Sequence, residues 1–170
     1  MTPKLLGACM IISACSAMGI SLAATHRQKE RLLQSILSAI HYMRCELEYR
    51  MTPLPQLMQL CAEQTDGMIR KVFCVMAEEL VRRDASQPGE CMQIAVGRCA
   101  KLPPMIREKL LLLGNSLGRF DLSGQLAGLE MVSAICKRDL DGLLHNREGR
   151  LRSYITLGIC AGVALVIVYL

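Results

Sequence analysis

The stretch Arg31-Leu32-Leu33-Gln34-Ser35-Ile36-Leu37-Ser38-Ala39-Ile40-His41-Tyr42-Met43-Arg44-Cys45-Glu46-Leu47-Glu48 decides the fold. Leu32, Ile36, Ile40, Met43 and Leu47 recur at steps of four, four, three and four, the period of one helix face. Leu33 and Leu37 widen that stripe, and Arg31, Arg44, Glu46 and Glu48 lie off it, as in a helix with one face in a core and the other in water. Glu46 and Glu48 are two apart and point different ways, which suits two solvated carboxylates better than a paired acid and base. No stretch of the chain alternates with period two for long enough to form a strand.

Upstream, no Gly or Pro separates this helix from Leu5–Ala24, twenty residues without a charge. At about 1.5 Å per residue such a block covers the roughly 30 Å of a bilayer's hydrocarbon. A second uncharged block, Tyr154–Leu170, holds seventeen residues, near the lower limit of about 17 for a spanning helix. All 15 acidic residues and 19 of the 20 basic ones lie between the blocks. The expected organisation is therefore a transmembrane helix over 1–24, a water-soluble domain over 25–153 and a second transmembrane helix over 154–170. A cleaved signal peptide and a buried core helix are the competing readings of the first block. The small residues Ser21-Leu22-Ala23-Ala24 only loosely imitate a cleavage site, and Arg27, Lys29 and Arg31 behind the block favour a retained anchor. Arg147, Arg150 and Arg152 precede the second block, so the positive-inside bias places the middle domain in the cytoplasm, beside anionic lipid of the bilayer.

Downstream, the punctuation predicts five more helices. Thr52-Pro53 ends the first and starts the second, with Thr52 as N-cap and Pro53 as first helical residue; Leu54, Leu57, Met58 and Cys61 face inward. Asp66-Gly67 opens the third, with Ile69, Val72, Phe73 and Met76 inward and Arg82 and Arg83 at its end. Ser86-Gln87-Pro88-Gly89 breaks the chain before a fourth over about 90–101. Pro103-Pro104 precedes a fifth that ends at Gly118, a C-terminal cap glycine. Asp121 caps the sixth, whose apolar positions 126, 129, 132, 136, 140 and 143 run on through the three arginines into the second apolar block. Short connections make neighbouring helices antiparallel, so the expectation is an all-α, six-helix cytoplasmic bundle flanked by two terminal transmembrane helices.

The same residues argue against several chemistries. Nine cysteines stand singly, an odd number without the close pairs that structural zinc wants, and a reducing compartment suits them; regulation through oxidation of these thiols is a further reading. His26, His41 and His145 add no ligand pair. Gly114 and Gly118 lack the Lys-Ser/Thr of a nucleotide loop. The middle domain carries 19 basic against 15 acidic residues, a net of +4, with almost no aromatics for base stacking, so nucleic acid is not expected as a partner. No metal, cofactor or catalytic constellation is expected, and the chain reads as a non-enzyme.

Lys4-Leu5-Leu6-Gly7, Glu48-Tyr49 followed by Thr52-Pro53-Leu54, Leu113-Gly114-Asn115-Ser116-Leu117-Gly118-Arg119-Phe120-Asp121 with Gln125, and the closing Gly158 and Gly162 together resemble the stage III sporulation protein AB family, over essentially the whole chain. Two positions depart from its pattern. Arg50 stands where relatives usually place a glycine after the tyrosine, and no tryptophan occurs around Glu90–Met92. The resemblance implies a small relative of the inner-membrane platform protein of type II secretion and type IV pilus machines. It further implies a non-catalytic role on the mother-cell side of a channel complex between mother cell and forespore. The implied partners are the secretion-type ATPase stage III sporulation protein AA and other membrane proteins of that complex. The alternative is a generic membrane-tethered helical adaptor unrelated to sporulation.

Two turns are candidate docking sites for the ATPase: Glu48, Tyr49, Arg50 and Thr52 after the first long helix, and Gly118, Arg119 and Asp121 between the fifth and sixth. At the second turn, Gly118 and Asp121 can equally serve only to end one helix and begin the next. Arg50→Glu or Arg119→Glu is expected to weaken retention of the ATPase and to leave thermal stability unchanged. The pairs Arg82-Arg83 and Lys137-Arg138 read as solvated faces or as contacts for an acidic partner surface. Gly158 and Gly162 form a small-xxx-small pair of the kind that lets helices approach closely in lipid.

Overall fold

A computed structural model describes residues 27–82, 87–118 and 121–169, with side chains as far as residue 145. Among them are six helices and no strand: α1 over 27–49, α2 Leu54–Glu63, α3 Gly67–Arg82, α4 Pro88–Arg98, α5 Pro104–Ser116 and α6 Leu122–Tyr169. The chain divides into two compact units, one spanning Arg31–Leu140 and the other taking in the chain on either side of it. Among the described residues no helix is long and apolar enough to cross a membrane. The block Leu5–Ala24 lies outside those residues, and so do the side chains of 154–170.

Within Arg31–Leu140 the apolar stripes meet as their periodicity requires. Leu33, Ile36, Ile40 and Met43 of α1 and Ile69, Val72, Phe73 and Met76 of α3 are buried. Leu57, Met58 and Cys61 of α2, Ile106, Leu110 and Leu113 of α5, and Leu129, Val132 and Cys136 of α6 join them. Each such large side chain contributes about 1.5–3 kcal/mol by leaving water. Helices α2, α3, α4 and α5 pack in succession, each on the next. Met43, Met58, Met76 and Met92 are all buried in this core, where flexible thioethers fill gaps that rigid aromatics would otherwise occupy. Cys91 and Met92 are the buried residues at the place where the family pattern suggests a tryptophan.

Helix boundaries differ from the sequence reading in two places. Helix α4 begins at Pro88 rather than near 90, because proline's fixed φ and missing N–H suit a first turn, and it ends at Arg98 because Cys99 leaves the helical region at φ −103°, ψ 70°. Helix α2 begins at Leu54 with Pro53, not Thr52, at its cap and with no side-chain cap bond. The Thr52 hydroxyl is used elsewhere, as described below.

Helices α4 and α5 cross at glycine. A Cβ on Gly114 would strike Cβ of Met92 and lie 2.8 Å from its Cγ, and one on Gly89 would strike Oδ1 of Asn115. The small residues are what let the two backbones approach. Helix α6 is held against α5 by the Lys109 Nζ to Asp139 Oδ2 ion pair at 2.8 Å, and a Cβ on Gly128 would come 2.8 Å from Cβ of Ser116.

Candidate functional site

The turn between α1 and α2 is organised by a carboxylate that sequence periodicity places in water. Glu46 is only 7% exposed. Its Oε2 accepts the Thr52 hydroxyl at 2.8 Å, and its Oε1 accepts Arg50 Nη1 at 3.3 Å. Tyr42 also bonds to it; partial burial first, and then that bond, hold the Tyr42 phenol above its usual pKa. Burial pushes the nearby Cys61 thiol up to about 12, with the charge of Glu46 adding to the effect. Glu46 is thus a tie point for α1, α2 and the turn, not the solvated carboxylate that its place off the stripe suggests.

The backbone of this turn is strained. Arg50 N–H closes the last turn of α1 on the Glu46 carbonyl at 3.0 Å, after which Met51 adopts φ +50°, the one positive φ at a non-glycine among the described residues. A left-handed conformation costs a side-chain-bearing residue about 1–2 kcal/mol, which is why glycine usually takes this position after a helix. The Met51 side chain gains no packing in exchange, being 72% exposed, and Tyr49 is 79% exposed, the two largest values among the bulky apolar side chains described. Glu48 and Arg50 are exposed beside them.

At the second turn, Gly118 takes φ +70°, and a Cβ there would lie 2.5 Å from Cγ of Pro88, so both conformation and space require glycine. Asp121 accepts Gly124 N–H at 3.1 Å on Oδ1 and the Ser123 hydroxyl at 2.6 Å on Oδ2. These bonds, the one to Ser123 first, lower its carboxyl pKa. Asp121 is therefore the expected cap of α6. Arg119 lies outside the described residues. Gly118 and Asp121, the described members of this turn, both carry structural duties.

The remaining candidates are dispersed. Arg82 lies 3.9 Å from Glu79, which is buried and receives Arg98 Nη2 at 2.7 Å; Arg83 lies outside the described residues. Lys137 and Arg138 are exposed on α6. Gly158 and Gly162 fall within α6, and their surroundings lie outside the description. Among the described residues no group of His, Cys, Asp or Glu could hold a metal ion, and Cys61, Cys91 and Cys136 are buried while Cys45, Cys74 and Cys99 are half-buried.

The sequence profile of stage III sporulation protein AB matches residues 4–170. The chain belongs to that family. A solved structure described as stage III sporulation protein AB (SpoIIIAB) is similar at 18% identity and a TM-score of 0.63, covering 72% of this chain and 98% of that one. At that identity the likeness speaks for the helical fold. No curated protein matches. Family membership gives the chain a role in sporulation and removes the alternative of an adaptor unrelated to it.

Sequence reasoning missed Glu46 and Met51. The signal for Met51 was present: α1 must stop and reverse between Tyr49 and Pro53, and no glycine is available there to do it. Glu46 gave none, since its bonds depend on the path of the turn.

Proposed function

We propose that the chain is a non-enzymatic platform of the channel complex between mother cell and forespore. In this reading two terminal helices hold it in the mother-cell membrane, and its cytoplasmic helical lobe docks the secretion-type ATPase, stage III sporulation protein AA. The observation that carries the proposal is the family match over nearly the full chain, including both apolar ends. The exposure of Glu48, Tyr49 and Arg50, in a turn where half-buried Thr52 is tied to Glu46, supports a docking role, and the turn at Gly118, Arg119 and Asp121 is the second docking candidate. Gly158 and Gly162 would pack the C-terminal helix on a neighbouring membrane helix, and replacing both with Leu would reduce cross-linked assemblies.

The deciding experiment is co-purification in detergent of the full chain with the ATPase encoded beside it. Retention of the ATPase supports the reading, and its loss in the wash for the unaltered chain overturns it. Cysteine labelling from outside intact cells tests the topology: residues between 40 and 140 should stay unlabelled, and labelling there would overturn the cytoplasmic placement.

A further inference from the structure

We draw no further inference here: the strongest candidate, the cluster of Lys109, Asp139 and buried Cys136 where α6 lies on α5, is the ion pair already described as joining the two helices together with a lone cysteine, and nothing among the described residues points to a ligand there.

Discussion

Thr52 donates its hydroxyl to Oε2 of Glu46 at 2.8 Å, fastening the residue that follows the α1–α2 turn to the last full turn of the helix before it. The bond spans six residues, and the buried Glu46 carboxylate gains a donor by it. Helix α2 starts one residue later than a Thr52 cap would require, with Pro53 at its cap and no side-chain cap bond.

Thr52→Val should therefore destabilise the fold by about 1–3 kcal/mol, the cost of leaving a buried acceptor short of a bond, whereas Thr52→Ser should be close to neutral. Arg50→Glu is not a clean probe of docking, contrary to the sequence expectation. It would set a second carboxylate against Glu46 and lower stability, while Arg50→Ala removes only one long, exposed ion pair worth about 0–1 kcal/mol. Thermal melts of the four variants check the ranking, and a Tm for Thr52→Val equal to wild type would remove Glu46 from its role as tie point.

The glycines at the α4–α5 crossing should differ in sensitivity. Gly114→Ala drives a methyl into Cβ of Met92, which has no torsion that can move it aside. A cost of about 1–3 kcal/mol is expected, as for other overpacked cores. Met92→Ala should fail to rescue it, because the offending Cβ remains. Gly89→Ala meets the amide end of Asn115, an exposed side chain that can rotate away, so its cost should be smaller. Denaturant titrations that ranked Gly89→Ala as the worse of the two would contradict this account of the crossing.

Thiol chemistry should separate the cysteines by burial. Burial pushes Cys61 up to about 12 and Cys136 to about 11, with the charge of Lys109 opposing the rise at Cys136. Since the thiolate is the reactive form, both should resist alkylation of the native protein at pH 8. Half-buried Cys45, Cys74 and Cys99 should react first. Mass mapping after a short iodoacetamide pulse reads the order, and early modification of Cys61 would mean that α2 opens readily from α1.

Much of the fold was legible in the sequence because single helices announce themselves. The stripe Leu32, Ile36, Ile40, Met43 and Leu47 is buried, and Asp121 caps α6 as its place before an apolar run suggests. Gly118 likewise takes the left-handed cap position. What periodicity could not reach were the polar residues whose environment is made by another segment. Glu46 lies off its stripe, yet the returning turn covers it; Lys109 lies among helix-surface residues, yet α6 buries it. The docking candidates were only partly legible for the same reason. Tyr49 and Arg50 could be placed at a turn by counting from Pro53, but the strain at Met51 emerges only from the backbone path between two fixed helices.

The Lys109–Asp139 pair should respond unequally to loss of its two members. Lys109 is 6% exposed, while the Asp139 side chain keeps 28% of its surface in water. Lys109→Met leaves a carboxylate that can hydrate. Asp139→Ala leaves a buried ammonium with no bonded partner, so it should be the more costly change, by up to about 3–5 kcal/mol. The pH dependence gives a second readout. In the wild type the bond to Asp139, with lesser charge effects from Asp139, Glu108 and Cys136, raises the Lys109 pKa above 10.5 against the opposing effect of burial. A folded pKa above the unfolded one means that the pair's contribution is complete below pH 10.5 and is lost as pH rises through the folded value. In Asp139→Ala the chief raising effect is gone and burial dominates, so the folded pKa falls below the unfolded one and the penalty from Lys109 should ease as pH rises toward 10.5. Both proteins should lose stability above about pH 9, because Cys61 and Cys136 ionise more readily unfolded than folded, so the readout is the difference between them: urea titrations between pH 8 and pH 10.5 should show Asp139→Ala gaining on wild type as pH rises, and parallel profiles would mean that Lys109 is hydrated and that the pair does not hold α6 to α5.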